Sequence, residues 1–168
     1  MQKKNKALFL DRDGVINIDH GYIYKPNQVD FIPKIFELVK LAKDHQFYIF
    51  IVTNQSGIGR GFFTKEDFLN LMDYFLKEFS KKKLIIDDYI FCPHKPSDNC
   101  ICRKPSPYMI NKLSSKYEID KKESIFIGDK ESDIDSAKLS GIGKIIRFQE
   151  KNHVQTLKEV QKFLGKNE

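Results

Sequence analysis

Ala7-Leu8-Phe9-Leu10-Asp11-Arg12-Asp13-Gly14 places four apolar residues directly before two acids and a glycine. An apolar run of this length, closed by a turn residue, reads as a buried strand over Ala7 to Asp11. Residues two apart in extended chain project to the same side, so Asp11 and Asp13 are expected to face one reacting centre. Gly14 permits the sharp exit turn. Downstream, Lys34 to His45 carries Ile35, Leu38, Val39 and Ala42 on one helical face, and Tyr48 to Asn54 is a second apolar strand. Together these make a βαβ unit, which requires a parallel sheet.

The same alternation continues to the end of the chain. Lys65 to Lys82 repeats Phe68, Met72, Phe75 and Phe79 at helical spacing, a core stripe, and Tyr89 to Cys92 is a third short strand. Ser106 and Pro107 look like the N-cap and first residue of a helix running to Tyr117. Ser124 to Gly128 is a strand, Ser132 to Ser140 a helix, Gly143 to Phe148 a strand, and Val154 to Leu164 a closing helix. The expected fold is α/β: one Rossmann-like, doubly wound parallel sheet with helices on both faces, formed by residues 1–168 as a single domain.

Such a sheet binds ligands at the carboxyl ends of its strands, and nearly every chemically suggestive residue falls there. Thr53-Asn54-Gln55-Ser56-Gly57 follows the second strand and offers a hydroxyl, amides and close backbone approach for phosphate oxygens. Lys104 precedes a helix opening. Gly128-Asp129-Lys130, with Asp133, follows the fourth strand and brings more carboxylate to the same edge. Converging carboxylates are costly unless a cation neutralises them, and an oxygen-rich site beside a phosphate suits Mg²⁺. The edge reads as a site of phosphoryl transfer.

In this order the motifs resemble those of the haloacid dehalogenase-like phosphatases: an Asp-x-Asp-Gly loop, a Thr or Ser, a Lys, and a terminal Gly-Asp pair. Asp11 and Asp13, Thr53, Lys104, and Gly128 with Asp129 match them. The short distances between these positions leave little room for the cap domains that many relatives insert, so a capless member is expected. Within the family, Asp11 to Asn17, Asp19-His20-Gly21-Tyr22, Val52 to Gly61 and Cys102-Arg103-Lys104-Pro105 are similar to the heptose 1,7-bisphosphate 7-phosphatases, and the likeness runs from about Ala7 to Phe148. The sister branch of histidinol-phosphate phosphatases shares the catalytic motifs and the Cys/His cluster.

This resemblance implies roles. Asp11 would be the nucleophile that forms an aspartyl-phosphate, and Asp13 would protonate the leaving sugar oxygen and then activate water. Thr53 and Lys104 would hold the phosphoryl oxygens, with Mg²⁺ on Asp11, the Asp13 carbonyl and Asp129. Asp133 would support the site and not ligate the metal. Substrate contacts would come from Asn17, His20, Asn54, Gln55, Ser56, Arg60, Arg103 and Lys130. Three of the four Arg (Arg12, Arg60 and Arg103) lie inside motifs, which suits bidentate contacts to phosphate.

All three Cys fall between positions 92 and 102, an odd number packed too closely for an ordinary disulfide framework. Cys92, His94, Cys100 and Cys102 offer three thiolates and an imidazole, the donor set of a closed, structural, tetrahedral Zn²⁺ site, and match the zinc loop (92–102) of the family. With no secretory h-region after Met1 to Lys6, a reducing, cytoplasmic location is expected.

Composition bounds the alternatives. A chain of 168 residues, 40% hydrophobic with 14 Phe, fits one core-bearing domain, and the longest strongly apolar run, Phe47 to Val52, is far below the roughly 20 residues of a membrane span. A net charge of +6 would suit nucleic acid, but no run of five like charges and no basic and aromatic interleaving supports a zinc-stapled nucleic-acid-binding module. The expected partner is a small sugar bisphosphate, with no nucleic acid or membrane, and the chain is read as a monomer.

Overall fold

The computed structural model describes residues 4–165. Five strands, β1 (Ala7–Leu10), β2 (Tyr48–Asn54), β3 (Asp88–Cys92), β4 (Ile125–Gly128) and β5 (Lys144–Arg147), form one sheet in the order β3-β2-β1-β4-β5. All four pairings are parallel. The helices between and after them are α1 (Ile35–Asp44), α2 (Ser56–Gly59), α3 (Lys65–Lys81), α4 (Tyr108–Lys116), α5 (Glu131–Ser140) and α6 (His153–Leu164). No helix among the described residues is long and apolar enough to cross a membrane.

Alternation along the central strands divides the core into two layers. Leu8, Leu10, Ile49, Ile51, Ile125 and Ile127 face one side, where they pack with Ile35, Leu38 and Val39 of α1, the Phe68, Met72, Phe75 and Phe79 stripe of α3, and Val160 and Leu164 of α6. Ala7, Phe9, Phe50, Val52 and Phe126 face the other, against Met109, Ile110 and Leu113 of α4 and Ala137 of α5. Both faces are therefore covered, and slipping any central strand by one residue would exchange its two apolar sets between layers of different shape. The α3 stripe starts from a reciprocal cap: Thr64 Oγ1 accepts from the Asp67 N–H at 3.0 Å, and Asp67 Oδ2 accepts from the Thr64 N–H at 2.8 Å.

The strand order carries the functional consequence. The chain winds from β1 outward to β3, then returns to the far side of β1 to place β4. Connections leaving β1 and β4 therefore diverge in opposite directions and open a crevice at the carboxyl edge.

Two local features depart from the expected elements. A one-turn helix, α2, follows β2 where no element was expected, and α4 begins at Tyr108 with Pro107 at its N-cap. Ser106 stands one residue further out than the N-cap role required. Its hydroxyl donates to the Ile101 carbonyl at 2.6 Å and accepts from the Tyr108 N–H at 3.3 Å, tying the loop before α4 to the helix opening.

Candidate active site

The crevice is a cavity of about 300 Å³, and its wall draws on the ends of β1, β2 and β4 and the loop before α4. Asp11, Asp13, Thr53, Asn54, Gln55, Ser56, Arg103, Lys104, Lys130 and Asp133 all reach it. Strand alternation is not what brings the first two there. β1 ends at Leu10, and the Arg12 carbonyl accepts from the N–H groups of Val15, Ile16 and Asn17, so Asp13 lies in a tight turn and not in extended chain.

Lys104 organises the floor. Its ammonium lies 2.7 Å from Asp11 Oδ1 and 2.6 Å from Asp133 Oδ1, and it also donates to the Val52 carbonyl at 2.8 Å. Burial disfavours the ammonium, yet the two carboxylates outweigh it and hold its pKa above the ordinary lysine value. Asp11 is pushed up to about 7, by burial first, against the pull of Lys104 and with the push of Asp133. Asp133 is pulled below the usual carboxylate range: burial opposes this, but the Lys104 charge, the Lys104 hydrogen bond and the Lys130 N–H prevail. That N–H donates to Asp133 Oδ2 at 3.0 Å, which secures the first turn of α5.

The third carboxylate is short of partners. Asp129 Oδ1 is buried with no hydrogen-bond partner, and burial, countered by Lys130 and reinforced by Asp133, raises its pKa to about 6. Asp11, Asp129 and Asp133 each offer an oxygen within 4.8 Å of the others. Gly14 closes this corner: at φ +89°, a Cβ there would lie 2.3 Å from Asp129 Oδ2. A buried oxygen without a partner, with two of the three clustered carboxyls, Asp11 and Asp129, held against ionisation, is the donor set of a hard divalent cation, so these residues fit Mg²⁺.

Asp13 is held differently. Arg12 donates to Oδ1 from Nε at 3.1 Å and to Oδ2 from Nη2 at 2.9 Å, Asn17 donates to Oδ1 at 3.1 Å, and Gln55 donates to Oδ2 at 2.9 Å. Burial alone would raise the Asp13 pKa, but the Arg12 charge and these hydrogen bonds bring it below the usual carboxylate range. Two expectations are corrected here. Arg12 does not line the cavity, because its side chain is wholly buried and its Nε and Nη2 are directed to Asp13, Gln55 and the Ile23 carbonyl. Asn17 does not reach the cavity either, because it is equally buried and its amide NH₂ is committed to Asp13 and the Ile18 carbonyl.

The remaining positions divide between wall and periphery. Asn54 clasps the Lys104 backbone from both sides: its Nδ2 donates to the Lys104 carbonyl at 3.2 Å, and its Oδ1 accepts the Lys104 N–H at 3.0 Å. Arg103 donates from Nη1 to the His94 carbonyl at 3.3 Å, and Lys130 pairs with Asp19 at 3.1 Å across the cavity mouth. His20 and Arg60 do not line the cavity; His20 Nε2 lies 2.7 Å from Asp30 Oδ2 on exposed surface. Asp19, Tyr22 and Ser132 were missed as wall residues. Tyr22 meets Phe62 edge-on at 4.7 Å, a contact between loops from different strands that no local pattern announces.

Cys92, His94, Cys100 and Cys102 converge beside the cavity. The Sγ atoms of Cys92, Cys100 and Cys102 are 3.0 to 3.6 Å apart, and His94 Nδ1 lies 3.5 and 3.3 Å from the Cys92 and Cys102 sulfurs. A tetrahedral ion with bonds of about 2.0–2.3 Å needs donor edges only slightly longer than these, so the four side chains fit Zn²⁺ with every position supplied by protein. Arg103 and Lys104 follow Cys102 directly, which ties the cluster to the cavity wall.

Residues 16–146 match the model of the haloacid dehalogenase-like hydrolase family. The chain belongs to that family. Among haloacid dehalogenase-like hydrolases, it is 42% identical over 167 residues to D-glycero-alpha-D-manno-heptose-1,7-bisphosphate 7-phosphatase of Campylobacter jejuni, covering 95% of this chain and 96% of that one. It is 46% identical to the corresponding beta-anomer enzyme of Helicobacter pylori, over 77% of this chain and 76% of the other. Of solved structures, D,D-heptose 1,7-bisphosphate phosphatase from B. bronchiseptica, complexed with magnesium and phosphate, superposes with a TM-score of 0.77 at 29% identity, covering 83% of this chain and 78% of that chain.

Proposed function

We propose that this haloacid dehalogenase-like hydrolase is a Mg²⁺-dependent phosphatase that removes the 7-phosphate of D-glycero-D-manno-heptose 1,7-bisphosphate, a step towards nucleotide-activated heptose. The observation that carries the reading is the paired floor of the crevice, where Asp11 meets Lys104 near Thr53 and Asp129, with its Oδ1 unpartnered, offers an oxygen within 4.8 Å of Asp11. The names of the relatives supply the substrate.

In this reading Lys104 and the Thr53 hydroxyl receive the phosphoryl oxygens, where charge accumulates during transfer. An Asp11 oxygen attacks phosphorus while the bond from phosphorus to the sugar oxygen breaks, giving an aspartyl-phosphate. Asp13 starts as a carboxylate on Arg12; the approaching dianion raises its proton affinity, so it takes a proton from solvent water and passes it to the leaving sugar oxygen. Asp13 then takes a proton from the water that hydrolyses the intermediate, restoring Asp11. Asp11, the Asp13 carbonyl and Asp129 would hold Mg²⁺, which when bound offsets negative charge between phosphate and nucleophile. Asp133 anchors Lys104. Arg103, Lys130, Asn54 and Ser56 are placed to meet the rest of the substrate. Zn²⁺ on the Cys/His cluster would be structural, and three thiol ligands suit the reducing cytoplasm. A monomer without a nucleic-acid partner completes the reading.

Turnover of heptose 1,7-bisphosphate and of histidinol phosphate, each with and without Mg²⁺, is the direct test. Preferential, Mg²⁺-dependent release of the 7-phosphate is expected, together with its abolition in Asp11→Asn, whose neutral amide cannot attack phosphorus. Preference for histidinol phosphate would move the chain to the sister branch, and full activity of Asp11→Asn would remove the mechanism.

A further inference from the structure

Arg12 is a cation with 0% exposure for which the proposed chemistry has no direct use. Its guanidinium lies 5.5 and 5.6 Å from the ring centroids of Phe68 and Phe75, a site that fixes its plane. Beyond its fork on Asp13, it donates from Nη2 to Gln55 Oε1 at 3.2 Å. A guanidinium has donors and no acceptor, so the carboxamide beside it must present oxygen to Arg12 and NH₂ to its other neighbours. The reversed amide would set its NH₂ against the cation and its oxygen against the Asp13 carboxylate. Gln55 Nε2 accordingly lies 2.9 Å from Asp13 Oδ2 and 2.8 Å from Thr53 Oγ1. The side chain has little freedom to leave this pose, being 4% exposed, with its backbone N–H held by the Cys92 carbonyl at 2.7 Å.

A hydroxyl carries one proton. Since Thr53 Oγ1 accepts from Gln55, its own proton is free to point elsewhere, and Thr53 stands on the cavity wall. We infer that Arg12 and Gln55 form a positioning relay: buried Arg12 sets the polarity of the Gln55 amide, and Gln55 turns the Thr53 hydroxyl proton towards an incoming phosphoryl oxygen while holding Asp13. Gln55 thus acts on the substrate through Thr53 and Asp13, with its own donors already spent. The inference rests on the phosphatase reading, which it deepens by naming what orients two of the reacting groups.

Gln55→Glu tests the relay with almost no change of shape. A carboxylate accepts only, so the Thr53 proton turns to it and the phosphoryl group meets a hydroxyl oxygen in place of a donor. With p-nitrophenyl phosphate, whose leaving group needs no protonation, kcat is expected to fall about 100-fold, the scale of losing one oriented donor. In a Thr53→Val background the same change should cost far less, because of the two groups it acts through only Asp13 remains. Gln55→Met, which introduces no charge beside Asp13, should show the same dependence on Thr53 with a smaller loss. Calorimetric titration with inorganic phosphate in the presence of Mg²⁺ reads the Thr53 donor without turnover and should show about tenfold weaker binding by Gln55→Glu. Phosphate affinity equal to that of the unaltered protein, or losses that multiply independently in the double variant, would overturn the relay. An unaltered protein that binds phosphate but hydrolyses no ester would fail the functional reading alone, leaving the phosphate titration to decide the relay; no phosphate binding at all would defeat both.

Discussion

Lys104 and Asp11 stand 93 residues apart in the chain, and their side chains meet at 2.7 Å with both heads almost fully buried. The contact places a permanent cation against the carboxylate proposed as nucleophile. It also explains why a floor carrying three carboxylates can be buried at all, since the same ammonium serves Asp133.

Replacing that cation should be costly. Lys104→Met leaves Asp11 and Asp133 buried without their counter-charge, a change worth about 3–5 kcal/mol of stability. In thermal melts near pH 8 this should lower Tm by on the order of 10 °C. The deficit should shrink as pH falls and the two carboxyls take up protons. A Tm within 2 °C of the unaltered protein at pH 8 would remove Lys104 from the stability argument.

Asp11 and Asp129, raised to about 7 and about 6, predict an unusual pH profile for stability. A carboxyl whose folded pKa lies above its unfolded value binds more protons when folded, so its contribution is fully present below the unfolded pKa and is lost as pH rises through the folded one. Without added Mg²⁺, stability should therefore decline from about pH 4 to about pH 7 through these two groups. Asp13 and Asp133, with lowered pKa values, act in the opposite sense and in a lower window: their stabilisation is complete above the ordinary carboxylate pKa and fails as pH falls below it. Millimolar Mg²⁺ should raise Tm more at pH 8 than at pH 5, and Asp11→Asn should flatten the profile. A profile identical in the Asn variant would show that Asp11 does not set it.

Gly14 is under two constraints at once, a φ of +89° and an approach of 2.3 Å between any added Cβ and Asp129 Oδ2. Gly14→Ala should cost about 1–3 kcal/mol and displace the Asp129 carboxylate. Titration of activity with Mg²⁺ should show half-saturation moving to higher concentration. An unchanged half-saturation point would separate Asp129 from the cation.

For the Cys/His cluster, elemental analysis should find one zinc per chain. Cys102→Ser should lower Tm and kcat together, because Cys102 anchors the chain that directly presents Arg103 and Lys104, and a displacement near 1 Å can cost about 100-fold in rate. Extra Mg²⁺ should not restore activity. Zinc-free protein, or a serine variant with unchanged melting and kinetics, would refute the structural role.

Most of the fold was legible because its signals are local. Apolar runs at β1, β2 and β4 and the Phe68–Phe79 stripe depend on neighbours a few residues away, and the structure places them as read. The departures lie where a side chain found a partner beyond that range. Ser106 gave its hydroxyl proton to Ile101, which left Pro107 at the start of α4. Tyr22 reached the cavity mouth by packing on Phe62 from a loop that leaves a different strand.

The order of amino acids by itself determined that strands alternate with helices, that both sheet faces are covered, and that acids, a threonine and a lysine sit at strand ends. Periodicity and turn chemistry are properties of consecutive residues, and they need no knowledge of where the chain goes next. Which charge meets which was decided only by the tertiary structure. Asp11 takes Lys104, Asp13 takes Arg12, and Asp129 is left with an unpartnered oxygen, although all three carboxylates looked alike in the sequence. Coulombic and hydrogen-bonding partners are set by distance in space, and that distance follows from the return of the chain across β1 to place β4. The amides of Asn17 and Gln55 follow the same rule: beside Asp13 and away from water, an amide directs its hydrogen bonds to the charged neighbours it is packed against.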